Sequence, residues 1–194
     1  MIKRCSWAGD EPLYHRYHDR EWGVPVHTER KWFEFITLEG AQAGLSWITI
    51  LKKRPAYKEA FDNFDFNKIA RYDERKVKSL LNNPGIVRNQ LKIRSTIKNA
   101  RAFIEIRKEF GTFNKYIWAF VDNRPIQNKW KKMKDVPATT PLSDAISRDL
   151  KKRGFSFVGS TIVYAHMQAT GMVNDHTTDC FRYREVKDLA GKKA

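Results

Sequence analysis

Residues 73–104 read DERKVKSLLNNPGIVRNQLKIRSTIKNARAFI and predict two helices joined by a tight turn. Asp73 is a typical helix N-cap residue. The first helix then places its apolar residues on one side: Val77, Leu80 and Leu81. The run Asn82-Asn83-Pro84-Gly85 interrupts the periodicity, because proline and glycine favour turns. The second helix repeats the apolar pattern with Ile93, Ile97, Ala100 and Ile104.

The same stretch carries a long run of positive charge. Between Glu74 and Glu105 there is no acid, and there are eight basic residues: Arg75, Lys76, Lys78, Arg88, Lys92, Arg94, Lys98 and Arg101. The chain of 194 residues has a net charge of +15, of which residues 51–100 contribute +8 and residues 1–50 contribute −1. A solvated helix face normally carries both signs. A nucleic-acid surface is therefore favoured over a solvated face or a membrane-surface helix.

The turn itself is a candidate phosphate site. Gly85 allows a ligand to approach the backbone closely, and the following helix presents free N–H groups at its positive N-terminal end. We expect Arg88 and Lys92 to point outward and to add charge there. The alternative is an ordinary αα-hairpin, which is common in helical proteins.

Helical periodicity continues along most of the chain. It covers residues 30–53, 73–81, 87–108, 113–121, 142–152 and 158–170, whereas strand-like alternation is scarce. We therefore predict an all-α fold of short helices. The N-terminus lacks the apolar segment of a signal peptide, and no stretch approaches membrane-spanning length, so we expect a cytoplasmic protein with no membrane partner.

Glu39 is an acid on a helix face that is otherwise apolar. On a helix that begins near Thr28, it shares this face with Trp32, Phe35 and Ile36. A carboxylate in such a position is unfavourable unless it is paired, solvated in a cavity or used in function. The alternative is a helix that ends at Gly40 and leaves Glu39 half exposed in its last turn.

Aromatic residues accompany this acid in the sequence: Trp7, Tyr14, Tyr17, Trp22 and Trp47. Core packing alone explains most aromatic residues. Electron-rich rings around one carboxylate also form a site for a flat cationic ring, such as an alkylated purine. To reach such a base in DNA, a protein must flip the nucleotide out of the stack. Leu45, at an expected bend in Gly44-Leu45-Ser46, is a candidate wedge for the gap.

The two cysteines of the chain lie near opposite ends, and each has a histidine close in sequence. Cys5 is followed by His18, and His176 precedes Cys180 by four residues. Two thiolates and two imidazoles make a complete tetrahedral zinc set, and four protein ligands would make the metal structural. The alternative is two unrelated thiols and two surface histidines.

These features meet in a resemblance to the Tag-type family, 3-methyladenine DNA glycosylase I. The similarity rests on four long blocks: RCSWAGDEPLYHRYHDREWGVP at 4–25, LEGAQAGLSWITILKKR at 38–54, NPGIVRNQLKI at 83–93 and LKKRGFSFVGSTIVYAHMQATGMVNDH at 150–176. It also includes the late Cys180. Residues 73–104 resemble the helix–hairpin–helix element of DNA repair glycosylases, although Val87 stands where a second glycine is common.

The resemblance implies a helical domain at 26–140 with the helix–hairpin–helix element, and a zinc-binding domain formed by 1–25 with 141–194. It assigns one structural zinc ion to four ligands: Cys5, His18, His176 and Cys180. It assigns the base to Glu39 and Tyr17 by hydrogen bonding and to Trp47 by stacking. Trp7, Tyr14 and Trp22 then line the pocket. DNA contacts fall on Leu45, Gly85, Ile86, Arg88 and Lys92.

The predicted activity is release of 3-methyladenine from alkylated double-stranded DNA by a monomer. Methylation makes this base cationic and a good leaving group, so we expect Glu39 to recognise and stabilise its charge while water attacks. The Tag-type family lacks the Asp that the wider superfamily often uses, and no lysine stands out as a Schiff-base nucleophile. We therefore expect no strand cleavage.

Three other interpretations remain open from the residues. A non-catalytic DNA-binding module would explain the hairpin and its charge but not Glu39. A glycosylase for a neutral lesion would need a further catalytic Asp or Lys. A zinc-clamped protein-interaction domain would explain the four metal ligands but not the charge distribution.

Overall fold

The computed structural model describes residues 2–190, and nearly all of the regular secondary structure in this part of the chain is helical. Its helices are α1 (Pro12–Arg20), α2 (Glu29–Gln42), α3 (Trp47–Ala60), α4 (Phe66–Ile69), α5 (Glu74–Leu81), α6 (Gln90–Phe110), α7 (Phe113–Ala119), α8 (Pro141–Lys152), α9 (Ser160–Ala169) and α10 (Arg182–Ala190). Two short strands, β1 (Ile126–Gln127) and β2 (Val173–Asn174), pair in parallel with Ile126 opposite Val173. The all-α prediction is confirmed.

Helix α2 runs through the centre of the molecule. It packs against α3, α6, α7 and α9, and its residues from Trp32 to Ala41 are buried apart from Glu34. A helix segment that is buried on nearly every side should be largely apolar, and from Trp32 to Ala41 the polar residues of α2 are Glu34, Thr37 and Glu39. Glu39 is therefore enclosed by protein rather than set on the edge of an amphipathic stripe.

The segment 30–53, which shows helical periodicity, consists of two helices joined by a bend, and the bend lies at Gly44-Leu45-Ser46 as expected. Helix α2 continues past Gly40 to Gln42, so the alternative of a helix that ends at Gly40 is wrong. Gly44 takes a φ of +76°, which favours glycine, and the N–H of Leu45 donates to the carbonyl oxygen of Gln42 at 2.6 Å. Leu45 is 41% exposed at this bend, as expected for it.

The hairpin of residues 73–104 forms as predicted. Asp73 caps α5 and Asn89 caps α6, each by accepting a hydrogen bond from the backbone N–H three residues later. The predicted apolar residues of both helices turn inward, with Leu81 and Ile104 only half buried. Lys53 of α3 holds the turn from outside, because its ammonium donates to the carbonyl oxygen of Pro84 at 2.9 Å.

Buried side chains form a large core and a small one. The small core joins both ends of the chain to α2 and α3, and its members are Cys5, Tyr17, Trp22, Phe35, Leu51, Ala169 and Cys180. The N–H of Phe181 donates to the carbonyl oxygen of Lys3 at 3.0 Å, which fixes one terminal segment against the other. The division into domains at 26–140 and at 1–25 with 141–194 stays a prediction. Ile146 and Leu150 of α8 belong to the large core.

The helical periodicity of the sequence does not predict three of these helices: α1, α4 and α10. Helix α1 nevertheless carries a start signal, because Pro12 occupies its first turn, where a missing N–H is tolerated. Across residues 2–190, no helix has both the length and the apolar character needed to cross a membrane.

Candidate active site and metal centre

The four predicted metal ligands come together in the small core. Cys5, His18, His176 and Cys180 are all buried, and their ligand atoms lie within 4.8 Å of one another. The Sγ of Cys180 is 3.5 Å from both His18 Nε2 and His176 Nδ1, and the Sγ of Cys5 is 3.6 Å from His176 Nδ1. The alternative of unrelated thiols and surface histidines is therefore wrong.

Neighbouring groups orient both imidazoles toward this cluster. The Nδ1 of His18 bonds to the carboxylate of Asp19 at 2.8 Å, and the Nε2 of His176 bonds to the carbonyl oxygen of Trp22 at 3.1 Å. Because those nitrogens carry the protons, the nitrogens that face the cluster hold lone pairs. The hydrogen bond from the Cys5 thiol lowers the pKa of the Cys180 thiol, so Cys180 is the first of the two cysteines to form the thiolate that binds metals.

The distances also fit a tetrahedral ion. Bond lengths of about 2.3 Å to sulfur and 2.0–2.1 Å to nitrogen place the sulfur and nitrogen atoms of a tetrahedral zinc site about 3.5 Å apart. The observed separations of 3.5 and 3.6 Å match this value. The cluster can therefore hold a metal ion, and all four ligands are protein atoms.

The predicted base-binding residues surround one cavity of about 320 Å³ beside this cluster. Its lining includes all six of them: Trp7, Tyr14, Tyr17, Trp22, Glu39 and Trp47. The Tyr17 and Trp47 rings lie 5.4 Å apart, and the Trp7 and Trp22 rings 5.0 Å apart. Trp22 also packs edge-on against His176 at 4.6 Å, so its ring separates the cavity from the metal cluster.

Among the residues that the structure describes, Glu39 is the only acid in the cavity lining, and it is 4% exposed. Within residues 2–190 no group donates a hydrogen bond to its carboxylate and no cation forms an ion pair with it. Burial raises the pKa of this carboxyl group to about 8, because the charged form loses its hydration. A buried acid without a partner, facing a cavity, is typical of a group that binds a ligand.

Other polar groups of the lining differ in how well they are satisfied. The hydroxyl of Tyr14 accepts from the N–H of Ile48 at 3.0 Å and so holds the first turn of α3, which carries Trp47. The indole N–H groups of Trp7 and Trp47 are buried without an acceptor anywhere in the described chain. Tyr17 is buried, and desolvation together with the charges of Glu39 and Glu21 raises the pKa of its phenol well above the usual value.

Five residues of the lining are absent from the sequence prediction: Gln42, Met133, Ala165, Gln168 and Ala169. Gln168 is held by Asp175, whose buried carboxylate also accepts from the hydroxyl of Tyr164 at 2.7 Å. Asp175 adjoins His176 as Asp19 adjoins His18. An acid next to each histidine of the cluster is the signal by which sequence reasoning could have found Asp19, which bonds to His18, and Asp175, which holds Gln168.

The structure contradicts one expectation for the hairpin and adds detail to two others. Lys92 does not point outward: its ammonium donates to the carbonyl oxygens of Ala41 and Ala43, at 2.8 and 2.6 Å. Gly85 is required by the protein itself, since a Cβ there would lie 2.7 Å from the Cβ of Ala56. The Ile86 side chain is buried, so only its backbone can meet a ligand.

Part of the basic run between Glu74 and Glu105 is engaged within the protein. Arg94 forms two hydrogen bonds with Glu74, and the guanidinium of Arg101 donates to the carbonyl oxygen of Ala70. Arg88 is exposed near the turn and has no ion pair among the described residues. The positive surface is thus smaller than the count of eight basic residues indicates.

Comparison with known proteins gives a consistent family. The methyladenine glycosylase family model matches residues 7–183. DNA-3-methyladenine glycosylase 1 of Escherichia coli (strain K12) is 47% identical over 182 residues, which are 94% of this chain and 97% of that protein. A crystal structure of 3-methyladenine DNA glycosylase I aligns with a TM-score of 0.90 at 50% identity, covering 92% of this chain and 98% of the other.

A further structure, a variant of 3-methyladenine DNA glycosylase I in complex with 3-methyladenine, aligns with a TM-score of 0.90 at 32% identity. It covers 93% of this chain and 97% of its own. The chain therefore belongs to the methyladenine glycosylase family, in its Tag-type glycosylase I branch. The prediction that it is a hydrolytic glycosylase of base-excision repair is confirmed by this membership.

Proposed function

We propose that this chain binds alkylated double-stranded DNA, flips a 3-methyladenine nucleotide out of the helix and hydrolyses its glycosidic bond without cutting the strand. The observation that carries the proposal is Glu39, a buried and unpartnered carboxylate in an aromatic cavity. A cation that enters this cavity supplies the partner that Glu39 lacks. Undamaged adenine is neutral, so the same carboxylate discriminates against it.

Recognition in the cavity combines charge, stacking and hydrogen bonding. Trp47 and Tyr17 offer ring faces to a flat cationic base, and the carboxylate of Glu39 accepts hydrogen bonds from its edge. At neutral pH the carboxyl group of Glu39 is largely protonated when the cavity is free, because its pKa is about 8. A cationic base favours the ionised form, so binding releases a proton from Glu39.

The bond that breaks joins the base nitrogen to C1′ of the sugar. As it breaks, the electron pair moves to the base and neutralises its positive charge, while C1′ becomes cationic. A water molecule then adds its oxygen to C1′ and gives a proton to solvent. Glu39 stabilises the charge of the bound base and orients it; no other acid lines the cavity in the described chain.

We propose that the metal is one structural zinc ion. Cys5, His18, His176 and Cys180 would hold it with their thiolates and lone-pair nitrogens, and four protein ligands leave no open position for chemistry. Its contribution is to fix the two terminal segments, which carry Trp7, Trp22 and α9 of the cavity wall. The proposed zinc-binding domain, 1–25 with 141–194, has this role.

DNA contacts are proposed at the hairpin and at the bend. Arg88 is exposed beside the start of α6, and the backbone N–H groups of Arg88, Gln90 and Leu91 have no backbone acceptor within residues 2–190. They suit a phosphate. Leu45 is exposed next to Trp47 and would fill the gap left by the flipped nucleotide. In this proposal Lys92 contributes by stabilising the bend and Gly85 by allowing the turn to pack. Monomeric action in the cytoplasm stays a prediction.

The decisive experiment is a base-release assay. Purified zinc-loaded protein is incubated with methylated duplex DNA and with the same duplex undamaged, and free bases and strand breaks are both measured. We expect free 3-methyladenine from the methylated DNA alone, and intact strands. Binding without release would favour the non-catalytic DNA module. Release of a neutral damaged base with no 3-methyladenine would favour a glycosylase for a neutral lesion.

A substitution tests the role of Glu39. Glu39→Ala should lower excision at low substrate concentration by two to three orders of magnitude, as for the loss of one partner from a buried, hydrogen-bonded charge pair. Its far-UV spectrum and metal content should stay unchanged. Glu59→Ala is the matched control, because Glu59 is exposed and outside the cavity. Excision by Glu39→Ala at the rate of this control would remove Glu39 from the site.

A further inference from the structure

Residues 128–135, NKWKKMKD, form an irregular loop beside the cavity; we refer to it as the lysine loop. Four of its residues are lysines, all exposed: Lys129, Lys131, Lys132 and Lys134. None of these four takes part in an ion pair or a side-chain hydrogen bond within the described chain. Because neither the cavity nor the metal cluster uses them, four unneutralised charges in six positions require a separate explanation.

The loop has a fixed backbone although it contains no α-helix. Asn128 and the indole of Trp130 both donate to the Oδ1 of Asp175, at 2.6 and 2.8 Å. The N–H of Thr178 donates to the carbonyl oxygen of Trp130 at 2.9 Å. Asp175 is 1% exposed and adjoins the metal ligand His176. The lysines are therefore carried by a segment anchored to the same elements that hold the metal cluster.

The loop also reaches the cavity directly. Met133 is one of the lining residues, and Lys132 and Lys134 flank it in sequence. A nucleotide whose base enters the cavity keeps its sugar and its two phosphates at the rim. Groups next to a lining residue are then close to those phosphates. Lysine side chains of this length and freedom bind a phosphate as point charges.

We propose that the lysine loop binds the DNA backbone at the phosphates next to the flipped nucleotide, as a contact separate from the hairpin. The inference rests on the proposed function, since it needs a nucleotide in the cavity. It assigns a role to Lys129, Lys131, Lys132 and Lys134 that the metal, the base pocket and the hairpin do not supply. The contact carries no sequence information, because it reads only the backbone.

The experiment compares two variants that lose the same four charges from the net +15. One replaces the four loop lysines by glutamine. The control replaces four exposed lysines that are remote in sequence and do not line the cavity: Lys68, Lys115, Lys151 and Lys152. Binding to a duplex that contains a tetrahydrofuran abasic-site analogue is measured between about 50 and 200 mM KCl, where log K falls by about 0.9 with log salt for each phosphate contact.

We expect the loop variant to lose about two units of salt slope, which corresponds to two phosphate contacts, and the control to lose less than half a unit. Binding of free 3-methyladenine, followed by tryptophan fluorescence, should be the same in both variants, because no loop lysine lines the cavity. Equal slopes for the two variants would overturn the proposal. If instead the unaltered protein released no 3-methyladenine from methylated DNA, the proposed function itself would fail.

Discussion

Replacing Glu39 by glutamine should stabilise the protein, and the gain should grow as the pH rises. Burial raises the pKa of this carboxyl group from 4.5 to about 8. The folded state therefore holds a proton on Glu39 over a pH range in which the unfolded state has lost it. The contribution of Glu39 to the free energy of unfolding is therefore most favourable below pH 4.5 and declines as the pH rises toward 8.

The size of the effect follows from the shift. Each unit of pKa corresponds to about 1.4 kcal/mol, and the shift acts in full because the group is buried and unpartnered. With these two pKa values, proton linkage makes the free energy of unfolding of Glu39→Gln rise relative to that of the unaltered protein. The difference widens by on the order of 3 kcal/mol from about pH 5 to 7.5. Glutamine keeps the shape of the side chain and removes its titration.

The assay is urea unfolding of both proteins at several pH values, with metal content checked at each. Titration of the metal ligands affects the two proteins alike and cancels in the difference. Glu59→Gln serves as the control, because Glu59 is exposed, and its difference should be independent of pH. A constant gap between Glu39→Gln and the unaltered protein would refute the reasoning. It would mean that Glu39 is solvated or paired in solution.

Three further substitutions test other buried groups. Burial lowers the pKa of His166 to about 3, so acid destabilises the protein between pH 6.5 and 3. His166→Leu should remove about 2 kcal/mol of the decrease in the free energy of unfolding that urea unfolding measures from about pH 7 to 5. Gly85→Ala should destabilise by about 1–3 kcal/mol through its clash with Ala56, and adding Ala56→Gly should restore most of that in a thermal unfolding cycle. Asp19→Asn should weaken zinc binding about 10–100-fold in chelator competition, because Asp19 orients His18; unchanged affinity would exclude that role.

Local signals in the sequence were sufficient for the helices and for the hairpin. Caps such as Asp73 and turns such as Asn83-Pro84-Gly85 act over a few residues, so they can be read from neighbouring letters. The bend after Gln42 is also local, since Gly44 marks it within the segment 30–53. Of the helices in the described chain, α1, α4 and α10 were not predicted, because α4 has only four residues and α1 and α10 are rich in polar residues, so their apolar pattern is weak.

The direction of a long side chain could not be read in this way. Lys92 belongs to a basic helix face, and its position in α6 suggests exposure. Its ammonium instead satisfies the carbonyl oxygens of Ala41 and Ala43 at the end of α2, where a helix end has unpaired carbonyls and partial negative charge. That need arises from a segment some fifty residues earlier in the chain, so the pattern around Lys92 contains no sign of it.

The cavity residues show the same limit of prediction from sequence, and they also show why Glu39 could be predicted. Glu39 was recognisable because a carboxylate among Trp32, Phe35 and Ile36 contradicts its own helix. Met133 and Gln168 were not recognisable, because each is ordinary in its own segment and becomes part of a site only when α9 and the lysine loop meet α2. Asp175 makes that meeting possible: it accepts hydrogen bonds from both segments while the next residue, His176, is in the metal cluster. This part of the cavity wall therefore depends on a contact between residues 45 positions apart in the chain, which a pattern of neighbouring residues does not encode.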